Sequence, residues 1–114
     1  MDLNLFNQIA GFEPQEECWL PLDDLFQRAF SSESPQNYYR AIFNLFERFP
    51  EDDGAGVFWS AVHGMEAVGG YEADLLRFFK RYPTEMTKIM LSRIRNSGQQ
   101  TINDVSIDFL IGKK

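Results

Sequence analysis

The chain has 114 residues, a net charge of −6 and 17 aromatic residues, 11 of them Phe, enough for one domain that buries about two-thirds of its unfolded surface. Its single cysteine, Cys18, excludes an internal disulfide, and the lack of a basic-then-apolar leader or of roughly 18 apolar residues in a row predicts a cytoplasmic chain. Residues 1–55 carry 11 acids against 3 bases, so that half repels phosphate backbones and argues against nucleic-acid binding.

The segment LNLFNQIA predicts a short first helix ahead of the connection FEPQEECWLP. In LPLDDLFQRAF, Leu22, Leu25, Phe26, Ala29 and Phe30 recur at helical spacing. Asp23 and Asp24 fall in its first turn, where the helix dipole favours acids. SPQNYYRAIFNLFERF follows, with Ser34 as N-cap and Pro35 at the first helical position. Its apolar face is Tyr39, Ile42, Phe43, Phe46 and Phe49. GAGVFWSAVHGMEAVGG sets Phe58, Val62 and Met65 on one stripe and stops at Gly69-Gly70. YEADLLRFFKRY aligns Leu75, Leu76, Phe79 and Tyr82 in the same way. PTEMTKIMLSRIRNSG starts at Pro83, packs Met86, Ile89, Met90 and Ile94, and stops at Gly98. The final INDVSIDFLI reads as a closing helix with Ile102, Val105 and Phe109 apolar, because a lone strand over VSIDFLI has no partner.

Two of these segments end alike. FERFP begins at Phe46 and FKRYP at Phe79, 33 residues on. The correspondence runs backwards through Tyr38 and Tyr71, Ile42 and Leu75, Phe43 and Leu76, and Leu45 and Phe78. Pro50 and Pro83 close both helices, since a proline pushes the residue before it out of the α region. A period near 33 is that of helical-hairpin repeats, whose apolar faces are buried only by stacking on a neighbour. The predicted fold is therefore all-α: one domain over residues 1–114, with five to seven helices stacked as HEAT-like αα hairpins.

Catalytic chemistry is weakly represented. His63 and Cys18 are the only residues of their kinds, neither lies in a nucleophile motif, and two such ligands do not make a zinc site. Gly54-Ala55-Gly56 and Gly69-Gly70 follow no strand, so neither reads as a phosphate loop. The expectation is no enzyme, no cofactor and no metal. Trp59, His63 and Glu66 share one helix face, beside the Phe58–Val62–Met65 stripe. They either pack against later helices, with Arg93 and Asn96 as natural partners, or form a site for a partner. Arg48 and Arg81, equivalent in the two repeats, read as cations at helix C-termini.

The run VFWSAVHGMEAV, then YEADLLRFF, then PTEMTKIMLSRIRNSG, resembles the all-helical immunity proteins of bacterial polymorphic toxin and contact-dependent growth inhibition systems. The likeness covers residues 36–111, and its most specific pieces are the Trp59–His63–Glu66 helix and the Arg93–Ser97 helix end. It implies a protein that binds the C-terminal domain of a cognate toxin and neutralises it, commonly by blocking a nuclease active site. A nuclease is typically basic because it holds a phosphate backbone, and an inhibitor offering carboxylates gains steered association. The candidate contacts are the acids Glu16, Glu17, Asp23, Asp24, Glu51, Asp52 and Asp53, the aromatics Trp19, Tyr38 and Trp59, and His63 with Glu66. The other classes are a helical-repeat adaptor and a small enzyme using His63 with Glu66 or Cys18.

Overall fold

The computed structural model describes residues 1–112. Helix α1 (Leu3–Ala10) starts at Asp2, whose carboxylate accepts a hydrogen bond from the Leu5 amide. Helix α2 (Leu20–Phe30) carries Pro21 in its first turn, where a missing N–H costs nothing. A 3-10 turn over Pro35–Tyr38 leads into α3 (Tyr39–Arg48), and a second over Gly54–Gly56 leads into α4 (Phe58–Val68). Helices α5 (Glu72–Arg81) and α6 (Glu85–Asn96) complete the main body. The expectation of a helix starting at Pro83 is corrected by two residues. Thr84 is the N-cap, and its hydroxyl and that of Thr87 reciprocally accept each other's amide hydrogens.

The 33-residue period is a real structural offset. Helices α3 and α5 are both ten residues long, both follow a buried tyrosine, Tyr38 or Tyr71, and both end one residue before an aromatic that precedes proline. Helix α3 packs on α1, and α5 packs on α3, forming one layer of first helices. Behind them α2 packs on α1 and α4, while α6 packs on α5 and α3. The two proline corners are joined directly, since the Glu85 amide donates to the Pro50 carbonyl at 2.7 Å. The chain is all-α, with seven α-helices among the described residues and one very small sheet.

Phenylalanine makes the seams. Phe43 of α3 stacks on Phe78 of α5 at 5.3 Å between centroids, and Phe46 meets Phe58 of α4 at 5.1 Å. The repeated arginines fasten successive first helices, which is more than a dipole effect. Arg48 donates to the carbonyls of Ala10, the last residue of α1, and of Phe12 just past it, and pairs with Glu13. Arg81 forks onto Glu47 of α3 at 2.7 and 3.2 Å.

The closing segment departs from expectation. Thr101–Ile102 (β1) pairs antiparallel with Val105–Ser106 (β2), through a two-residue turn in which Asn103 and Asp104 have φ of 47° and 68°. Only Ile107–Leu110 is helical (α7), and Phe109 points outward, 80% exposed, while Ile102 and Ile107 are buried. The strand VS finds its partner four residues upstream, inside the same segment.

Candidate functional site

Trp19 organises one end of the molecule. Its indole meets Phe12 at 5.8 Å, Phe49 at 5.0 Å and Phe58 at 5.3 Å, the last two edge-on. The indole is thus wedged between the chain leaving α3 and the chain entering α4. Gly54 is required beside it: with φ of +60°, a Cβ there would lie 2.7 Å from the Phe58 ring and 3.3 Å from Trp19.

Three acidic segments flank the residues of this aromatic cluster along the chain. Just before Trp19, Glu16 and Glu17 form a tight turn with φ of 52° and 62°, closed by the Cys18 amide on the Gln15 carbonyl at 2.9 Å. Neither is glycine or asparagine, and each left-handed residue of this kind costs about 1–2 kcal/mol. Just after Trp19, α2 begins, placing Asp23 in its first turn and Asp24 one residue further. Across the cluster, Glu51, Asp52 and Asp53 occupy the loop between Phe49 and Phe58. Asp52 accepts the Gly54 amide at 3.0 Å, so part of its function is to shape that loop.

Of the ten other acids in the chain, five are paired among the described residues. Glu13, Glu47, Glu66, Asp74 and Asp108 each pair with an arginine. Among the described residues, none of Glu16, Glu17, Asp23, Asp24, Glu51, Asp52 or Asp53 has a cation within ion-pair distance. Arg48 lies nearby, lining a shallow groove with Glu51 and Asp52, but it is engaged by Glu13 and by the carbonyls of Ala10 and Phe12.

Two expected contact residues are corrected. Trp19 is only 8% exposed and Tyr38 only 3%. Both are core side chains, and the Tyr38 hydroxyl accepts the Asp2 amide at 2.9 Å. The accessible apolar group at this end is Leu20, 72% exposed between Glu17 and Asp24. Helical spacing contained that signal, because Leu20 lies off the Leu22–Leu25–Phe26–Ala29 stripe.

Trp59, His63 and Glu66 do share one face of α4. The Trp59 and His63 rings lie 5.8 Å apart, and the Arg93 guanidinium sits over Trp59 at 5.6 Å. Arg93 forks onto Glu66, with Nε donating to Oε2 at 2.7 Å and Nη2 to Oε1 at 2.9 Å. Those bonds hold the Glu66 carboxyl below the usual range and raise Arg93. His63 Nδ1 is 3.7 Å from Glu66 Oε1, and the imidazole is largely exposed. A shallow groove of about 470 Å³ continues past Arg93 to Tyr71, Glu72 and Asn96. Glu66 thus clamps α4 to α6, while His63 and one face of Trp59 remain on the surface.

No family model matches the chain, and no curated protein or solved structure matches it either.

Proposed function

We propose that this protein is an immunity protein, which binds a basic toxin domain through the acidic end around Trp19 and blocks the groove where that domain holds its substrate. The observation that carries this reading is the set of seven carboxylates without a cation partner, on three segments that flank the meeting rings of Trp19, Phe49 and Phe58, with Leu20 exposed next to Trp19. Carboxylates without an internal cation are available to guanidinium and ammonium groups that otherwise bind phosphate. The strained Glu16–Glu17 turn fits the same reading, since strain of this kind persists where the surroundings over-determine it and concentrates at functional sites. Leu20 supplies the apolar contact that charge alone lacks.

The test is co-expression with a toxin domain encoded beside this chain, scoring growth and co-purification. The expected outcome is rescue by the native chain through a 1:1 complex whose association slows with salt. Replacing Glu16, Glu17, Asp24, Glu51 and Asp53 by lysine is expected to slow association by about tenfold or more. Unchanged association in that variant overturns the electrostatic docking; failure of the native chain to rescue overturns the immunity reading itself.

A further inference from the structure

The stack of first helices has one covered face and one open face. Helix α3 is covered by α5, which lays Phe78 on Phe43 and Arg81 on Glu47. The residues 33 positions on from Phe43 and Glu47 are Leu76 and Lys80, on α5 itself. No helix of the described residues continues the layer there. Leu76 instead floors an open groove of about 500 Å³, shared with Ala73, Arg77, Lys80, Arg81 and Asn103. Lys80 has no carboxylate partner among the described residues, whereas its counterpart Glu47 holds Arg81.

We propose that the outer face of α5 is an open stacking site that takes an amphipathic helix of a partner protein, one carrying a carboxylate a turn beyond its apolar anchor. Leu76 stands where Phe43 receives an aromatic, so the register of the internal seam transfers to the open one. The charge does not transfer. Lys80 replaces Glu47, so an arginine arriving as Arg81 does on α3 meets a cation, and a glutamate or aspartate is accepted instead. Arg77 on the same rim already pairs with Asp74 at 3.0 Å, which leaves Lys80 as the cation that selects the partner's carboxylate. This also excludes a second copy of α5 as the occupant, because its Arg81 falls on Lys80 and is repelled. The site is separate from the acidic end and does not depend on the immunity reading.

The probe is a stapled helical peptide with the α5 sequence, residues 71–82, carrying R81E; the control is the same peptide with its native arginine. Binding to the full chain is followed by fluorescence anisotropy, and the site is located by NMR shifts at Leu76 and Lys80. The R81E peptide is expected to bind at least about tenfold more tightly than the native one. The protein variant K80E, altered only at an exposed side chain, is expected to reverse that preference. Equal binding of both peptides, no saturable binding of the R81E peptide, a preference unmoved by K80E, or shifts confined to another surface each overturn the proposal.

Discussion

Glu66 and Arg93, 27 residues apart in sequence, meet through two hydrogen bonds of 2.7 and 2.9 Å and so tie α4 to α6. Both groups are partly exposed, and solvent screening reduces the pair to roughly 0.5–1 kcal/mol in a double-mutant cycle of Glu66→Gln and Arg93→Met. The pH dependence has a definite sign. Glu66 is held below the ordinary carboxylate range, chiefly by the Arg93 hydrogen bonds, so the unfolded chain takes up the proton more readily. The contribution is present at neutral pH and is lost as the pH falls through the ordinary glutamate range to the lower folded value. Urea midpoints of native and Glu66→Gln chains are therefore expected to converge on acidification. Parallel midpoints down to the acid limit contradict this.

Tyr39 behaves oppositely. Its hydroxyl, on a fully buried side chain, donates to the Gly69 carbonyl at 2.7 Å. Burial, then the Glu72 charge, pushes its pKa up to about 12. The folded state holds this proton more tightly than the unfolded one, so stability is intact below the ordinary tyrosine range and falls as the pH rises toward about 12. Tyr39→Phe is expected to lower stability by about 1 kcal/mol at neutral pH and to lessen the alkaline loss. Denaturant melts across the alkaline range, with phenolate absorbance recorded in parallel, measure both effects.

Gly64 sits mid-helix on α4, where the Phe30 ring lies against the backbone. A Cβ added there falls 2.6–2.7 Å from that ring. Gly64→Ala gains up to about 1 kcal/mol of helix propensity, yet overpacking costs about 1–3 kcal/mol. Net destabilisation is expected, with partial recovery in the Gly64→Ala/Phe30→Leu double variant. A stabilised single variant means that Phe30 swings away at no cost.

The helices were legible because their signals are local. The Phe–Arg–aromatic–Pro endings fixed both the offset and the termini of α3 and α5, and the α4 stripe with its Gly69 stop needed no tertiary knowledge. The burial of Trp19 was not local: it depends on α3 and α4 bringing Phe49 and Phe58 to either side of the indole. Nor does Glu16-Glu17 announce a left-handed turn, which glycine or asparagine ordinarily supplies. The closing hairpin did carry a signal. Asn103-Asp104 between Ile102 and Val105 is a two-residue turn flanked by β-branched residues, but a lone strand over VSIDFLI without a partner argued for a helix, and the partner lay just upstream in Thr101–Ile102. The acidic end was legible as composition, and its convergence on one aromatic cluster was not.

Trp19 and Leu20 are adjacent, yet they are expected to fail in different ways. Trp19→Ala removes the indole from among Phe12, Phe49 and Phe58 and is expected to cost about 3–5 kcal/mol. It also removes the ring that joins the chain after the Glu16–Glu17 turn to Phe49 and Phe58 on either side of the Glu51–Asp53 loop, so under the proposed immunity function binding is expected to fall with stability. Leu20→Ser alters a side chain that is 72% exposed and is expected to leave the melting midpoint within about 0.5 kcal/mol of native. If Leu20 is the apolar anchor of the acidic end, this second variant loses at least about 1 kcal/mol of toxin affinity, mostly through faster dissociation. Charge reversal at Glu51 and Asp53 acts on association instead. Isothermal melts paired with surface-binding kinetics separate the three cases. A Leu20→Ser chain with native dissociation places the apolar contact somewhere other than beside Trp19.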